Sequence, residues 1–258
     1  MKKHKLKVGI YGFTGCAGDQ LTILHSEDEL LDFFSSVEIK SFLMAQRINE
    51  EENLDIALIE GSITTQEQKE KLKEIASRTK IVVAIGICSC YGGIQSMKLG
   101  LGGWENRFKK VYGKTEISLT TAFESQPIDN FVKVDYYIPG CPIEKNQFLK
   151  AFSRIINGNP PELYRFPVCT ECKWKENECL LLKDILCLGP LTAGGCGAVC
   201  PSYNLPCVGC WGPYEEANLT SEYYLLLEKG FSPEEIVRKF RNFGGKKIIE
   251  YFKNLKRK

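Results

Sequence analysis

Lys80-Ile81-Val82-Val83-Ala84-Ile85-Gly86-Ile87 is the most apolar run of the chain, and Cys88-Ser89-Cys90 follows it directly. A continuous apolar run of this length, without alternation, suits a central parallel strand buried on both faces. Working outward, Leu6–Phe13 reads as a first strand, then a glycine-rich turn and a helix through about Phe34 with Leu21, Leu24, Leu30 and Leu31 on its apolar face. Val37–Met44, Leu54–Ile59 and Val134–Ile138 are further strands, and Thr65–Ser77 and Glu144–Ile156 are helices. Strands alternating with helices predict an α/β fold with a doubly wound parallel sheet. Such sheets bind ligands beyond the carboxyl ends of their strands. Cys16, Cys88 and Cys141 all stand at such ends.

The chain has 258 residues, 43% of them hydrophobic, enough for one large or two smaller domains. A formal charge of +2 makes no electrostatic case for nucleic acid or an anionic membrane. Its apolar runs are too short to span a bilayer. The first residues pass from lysines straight into a strand, with no apolar leader or small-residue cleavage site, so a cytoplasmic location is expected. Asn159-Pro160-Pro161 marks a boundary between units 1–158 and 159–258. From Pro167 to Pro213 the chain is rich in Cys, Gly and Pro and almost aperiodic, so it is expected to lack an apolar core of its own and to be held by metal. After it, Ser232-Pro233-Glu234-Glu235 reads as a helix start.

Twelve cysteines in a cytoplasmic chain point to metal ligands rather than disulfides. Eight fall in a short stretch and divide into Cys169, Cys172, Cys179, Cys187 and Cys196, Cys200, Cys207, Cys210. Each set contains one C-x-x-C pair, and four thiolates suit either zinc or an iron–sulfur cluster. Cys16, Cys88 and Cys141 suggest a third site, with Asp19 or Cys90 as its fourth ligand. Counting favours Cys90, since twelve cysteines make three sets of four. Geometry at the strand-to-helix turn, where Cys16-Ala17-Gly18-Asp19 has the spacing of a C-x-x-C turn, favours the carboxylate. Glu60, in a turn at a strand end, is a candidate for capping that turn or for acting near this third site. Trp174 and Trp211 flank the cysteine-rich segment and are expected to cover it.

In order along the chain stand Thr14-Gly15-Cys16, Ile59-Glu60-Gly61-Ser62-Ile63, Gly86-Ile87-Cys88 with Tyr91-Gly92-Gly93, Ile138-Pro139-Gly140-Cys141-Pro142, Cys187-Leu188-Gly189-Pro190-Leu191-Thr192 and Pro206-Cys207-Val208-Gly209-Cys210. With these, the chain resembles the small, electron-transferring subunit of nickel–iron hydrogenases from about residue 6 to 211, especially the delta subunit of cytoplasmic sulfhydrogenases and NAD(P)-linked hydrogenases. The resemblance implies a flavodoxin-like domain carrying a proximal [4Fe–4S] cluster on Cys16, Asp19, Cys88 and Cys141. It implies a distal cluster on Cys169, Cys172, Cys179 and Cys187, and a medial one on Cys196, Cys200, Cys207 and Cys210. Its partners are then a Ni–Fe large subunit, which holds the catalytic site, and flavin/NAD(P)-binding and iron–sulfur subunits.

The chain departs from the family pattern in several places. Asp19 stands where cysteine is usual. Cys169 stands where many respiratory members have histidine, and Cys200 completes four thiolates where some membrane-linked members have three. All-thiolate sets favour low potentials, suited to nicotinamide or ferredoxin. The rival readings are a cluster-bearing subunit without hydrogen chemistry, a zinc-stabilised interaction module, and an FMN protein using Gly12-Phe13-Thr14-Gly15 as a phosphate loop.

Overall fold

The computed structural model describes residues 5–26, 28–50, 52–113 and 122–255. In chain order the elements are β1 (Lys7–Gly12), α1 (Gly18–Leu24), α2 (Asp28–Ser36), β2 (Glu38–Phe42), β3 (Leu54–Glu60), β4 (Ile63–Thr65), α3 (Gln66–Ser77), β5 (Thr79–Ile85), α4 (Gly86–Tyr91), α5 (Trp104–Tyr112), β6 (Ala122–Gln126), β7 (Tyr136–Ile138), α6 (Lys145–Ile156), α7 (Val168–Trp174), α8 (Val199–Ser202), α9 (Leu219–Glu228) and α10 (Pro233–Leu255). Five strands form a parallel sheet in the order β2-β1-β3-β5-β7. That is the doubly wound order of a flavodoxin-like sheet, with its switch point between β1 and β3. β4 and β6 form a separate antiparallel pair.

Alternation along the central strands divides the apolar residues between two faces. Val8, Ile10, Ile56, Leu58, Val83 and Ile85 face a core completed by Ile23 of α1 and by Phe148, Ala151, Phe152 and Ile155 of α6. Tyr11, Ala57, Ile59, Val82 and Ala84 face the opposite core, closed by Leu72 and Ile75 of α3. Thr65 caps α3 by accepting from the Gln68 N–H, and Glu144 caps α6 by accepting from the Asn146 and Gln147 N–H groups. The expected first helix is two, α1 and α2, broken near His25. Its predicted apolar stripe is not continuous. Leu24 packs on the core, Leu21 and Leu31 are exposed, and the side chain of Leu30 lies outside the described residues.

The cysteine-rich segment has no core built from its own residues alone, but besides any metal it is held by apolar packing that the sequence reading did not foresee. Val168, Leu180, Leu186, Leu188, Leu191 and Ala198 pack with Leu226 of α9 and Ile236, Phe240 and Ile248 of α10. The two helices supply the face that the aperiodic segment lacks. α10 starts as predicted, on a reciprocal cap in which Ser232 Oγ accepts from the Glu235 N–H and Glu235 Oε2 accepts from the Ser232 N–H. Buried Arg241 then fastens α10 to the loop before α5, donating to the carbonyls of Met97 at 2.7 Å and Leu99 at 2.6 Å.

Glu222 of α9 is buried, and its Oε1 has no hydrogen-bond partner among the described residues. Burial pushes its carboxyl from 4.5 up to about 7. Between those values the folded chain holds a proton that the unfolded chain has released, so stability falls as pH rises through that window and stays lost above it. Glu222→Gln is therefore expected to stabilise the protein by about 2–3 kcal/mol at pH 8 and by about 1 kcal/mol or less at pH 5.5. Thermal melts at the two pH values check this, and an equal gain at both would contradict it.

Candidate metal centres

The turn after β1, the start of α1, α4 and the loop after β7 meet at the carboxyl rim of the sheet, and each contributes one acidic group. Cys16 and Cys141 are exposed there, Cys88 is half-buried and Asp19 is buried. Asp19 Oδ1 accepts from the Ile143 N–H at 2.8 Å. Its other oxygen lies against Gly86, where a Cβ would come within 1.7 Å of it, so only glycine, here at φ +75°, leaves room for the carboxylate. Glu60 holds this turn from β3, accepting from the Asp19 N–H at 3.2 Å and from Gln20 Nε2 at 2.7 Å.

Burial first, then Cys141, Asp19 and Cys16, push the Cys88 thiol up to about 12. Burial, Asp19 and Cys16 likewise raise Cys141. Burial raises the Asp19 carboxyl to about 7, against the lowering effect of the Ile143 N–H and with Glu60 adding to the rise. Gln95 locks the site from behind. Its Nε2 donates to Thr14 O and Ser62 Oγ, both at 2.9 Å, while its Oε1 lies 3.7 Å from Cys88 Sγ.

Cys90 is turned away from this rim. Residues 86–91 form a helix rather than a continued strand, so side chains two apart point about 200° from each other. Cys90 is 1% exposed, packs in the core on the α3 face and has Sγ 3.5 Å from Ala84 O.

In the cysteine-rich segment, Cys169 and Cys172 stand one turn apart on α7, and Cys179 precedes the turn Leu180–Lys183. With Cys187 they line one pocket, together with Leu180, Leu181 and Gly189. A Cβ at Gly189 would lie 3.1 Å from Cys169 Sγ and 3.6 Å from Cys187 Sγ, inside the space these thiols share. Burial, then Cys187, Cys172, Cys179 and Cys207, push Cys169 up to about 12. Cys207 and Cys210 are also raised to about 12 by burial, with Cys196 acting on both. Cys187 accepts from the Cys207 N–H at 3.3 Å, and Cys207 Sγ lies 3.4 Å from Thr192 Oγ1.

These surroundings fit a multinuclear cationic centre. Besides burial, the charges acting on Cys88, Cys169 and Cys210 are all other acids, so four anionic ligands together would repel unless a metal centre neutralised them. Backbone N–H groups at Cys187, Cys196 and Cys207 point at sulfur, as iron–sulfur ligands require. No disulfide joins any of the twelve cysteines. Among the described residues no three His, Cys, Asp or Glu side chains close on a single ion.

Several supporting residues carried no sequence signal. Gln95 and Glu171 sit in no cysteine motif, and their contacts span 81 residues to Thr14 and 24 to Gly195. Thr192 was visible only as the end of Gly189-Pro190-Leu191-Thr192. Of the two tryptophans, Trp211 is buried as expected, but Trp174 is 71% exposed and packs edge-on against Phe166 instead of covering the segment. Among the described residues no helix is long and apolar enough to cross a membrane.

A doubly wound sheet with an acidic, thiol-rich carboxyl rim defines a class of redox subunit. The family profile described as NADH ubiquinone oxidoreductase, 20 Kd subunit, matches residues 16–155, and the chain belongs to that family. Within it, the chain is 38% identical over 241 residues to sulfhydrogenase 2 subunit delta of Pyrococcus furiosus, covering 92% of this chain and 99% of that one. It is 33% identical over 247 residues to a subunit of the F420-non-reducing hydrogenase vhu of Methanocaldococcus jannaschii, covering 82% and 83%. A solved actinobacterial-type NiFe-hydrogenase from Ralstonia eutropha superposes with a TM-score of 0.62 over 99% of this chain and 91% of that chain. At 14% identity, that likeness shows the fold alone.

Proposed function

We propose that this chain is the electron-transfer small subunit of a cytoplasmic nickel–iron hydrogenase, divided into units 1–158 and 159–258. In this reading Cys16, Asp19, Cys88 and Cys141 hold a proximal cluster and Cys196, Cys200, Cys207 and Cys210 a medial one. Cys169, Cys172, Cys179 and Cys187 hold a distal one. What supports the reading is that residues of neighbouring sets stand close together, the Cys207 N–H donating to Cys187 at 3.3 Å. Cys210 feels both Cys141 of the rim and Cys196 and Cys200 of its own set, and Cys169 feels Cys207. [4Fe–4S] clusters bound there supply one-electron carriers whose potentials follow ligands, hydrogen bonds and burial.

The protein's own residues fix these carriers and exclude water between them. Cys187, Cys207 and Trp211 are buried, and the Cys207 N–H donates to Cys187. Exposed apolar side chains flank the proximal and distal sets. Leu43, Met44 and Ile48 follow β2 at the carboxyl rim, suiting a Ni–Fe large subunit. Trp174, Leu182, Tyr203 and Leu205 are exposed around the distal set, suiting a flavin/NAD(P)-binding or iron–sulfur partner. The similarity to subunits of a sulfhydrogenase and an F420-non-reducing hydrogenase favours hydrogen chemistry over a related cluster subunit without it.

Iron, nickel and zinc per chain in the anaerobically purified native complex test this. About twelve irons from this chain, assuming three [4Fe–4S] sites, with stoichiometric nickel in its partner, are expected. Zinc in place of iron would leave a structural module. Iron without nickel would keep the relay and remove hydrogen chemistry.

A further inference from the structure

Glu171 lies between Cys169 and Cys172 in sequence, but its carboxylate serves the other set. It is 9% exposed at the base of the cysteine-rich segment. Oε1 accepts from the Gly195 N–H at 2.9 Å, and Oε2 lies 3.9 Å from Cys196 Sγ. When Cys196 is a thiolate it has no proton to donate, and the contact becomes one between like charges, held in place by Gly195. Lys175 also reaches this loop, with Nζ 3.4 Å from where a Gly197 Cβ would stand, but it is exposed and water screens it. The buried carboxylate therefore dominates the local field.

We propose that Glu171 is an electrostatic tuning residue that holds the medial centre at low potential. The proposal rests on the relay reading above. A fixed negative charge beside a cluster opposes the arrival of an electron, so it favours the oxidised state. Its position on α7 also ties the distal helix to the medial loop, so one side chain bridges neighbouring stations.

The test is a redox titration followed by electron paramagnetic resonance on the intact complex, with the medial signal assigned as the one altered by Cys196→Ser. Glu171→Gln keeps an acceptor for the Gly195 N–H and removes the charge. It is expected to raise the reduced-to-oxidised ratio of the medial centre at fixed potential by tenfold or more, about 59 mV per tenfold for one electron. Iron content and the distal signal should stay unchanged. Glu171→Asp, which keeps the charge, should stay near the native potential. An unshifted medial potential in Glu171→Gln overturns the proposal. So does loss of iron from that variant, which would make the carboxylate structural, or an equal shift in Glu171→Asp, which would assign the effect to the hydrogen bond. Absence of any iron–sulfur signal from the native complex would instead sink the relay reading itself.

Discussion

Asp19→Ala is expected to remove about four irons per chain, one [4Fe–4S] equivalent, and to lower hydrogen-dependent electron transfer at least 100-fold. Cys90→Ala should leave both unchanged. The carboxylate stands on the same rim as Cys16, Cys88 and Cys141, and Asp19 and Cys16 both act on Cys88 and on Cys141. Gly86 leaves space for that carboxylate and for no side chain of its own. Cys90 has the right element but the wrong direction, because the helix from Gly86 to Tyr91 turns it into the core on the α3 face. Losing its sulfur there should cost about 1–2 kcal/mol, as for a small buried group. Asp19→Cys separates a ligand role from a folding role. It should restore the iron and change the resonance spectrum, since a thiolate is a softer donor than a carboxylate. Loss of iron from Cys90→Ala, with retention in Asp19→Ala, would reverse the assignment.

Stripping the iron should open residues 167–213 to protease while the sheet unit, residues 6–156, stays resistant. Metal held by a loop-rich segment contributes folding energy outright, on the order of 10 kcal/mol where it has been measured for zinc. Here the segment's apolar residues, including Cys187 and Cys207, pack on α9 and α10, and its thiols crowd one another in a buried space. Without metal those buried thiols stay protonated, and the segment loses the bonds that tie its distant loops together. The sheet unit has its own two cores and depends on no thiol but Cys90 for packing. Limited proteolysis before and after anaerobic chelation reads the difference, and a metal-free protein still protected over 167–213 would contradict it. Cys207→Ser should reproduce part of the effect, with about four irons lost, again one cluster's worth.

Much of this was legible because the relevant signals are local. Ile81 to Ile85 announces a buried parallel strand, Glu144 and Thr65 stand where helix caps belong, and Ser232-Pro233-Glu234-Glu235 starts α10. The break between α1 and α2 was hidden, because leucines continue at helical spacing past the point where the chain turns. The core of the cysteine-rich segment was hidden for a different reason. Its apolar partners Ile236, Phe240 and Ile248 lie well outside the segment, and no periodicity within it reports them.

The order and spacing of Cys16, Cys88, Cys141 and the eight later cysteines determined the family by sequence alone, since residue type and chain spacing are properties of the string. Only the tertiary structure decided between Asp19 and Cys90 in position. Whether the chain after Ile85 continues as a strand or winds into a helix changes the facing of residue 90 from the rim to the core. Only it brought Gln95 to Cys88, set Glu171 against Cys196, and brought the Cys207 N–H to Cys187. Those outcomes depend on which distant elements pack together, and packing is settled by the whole core at once rather than by any local run of residues.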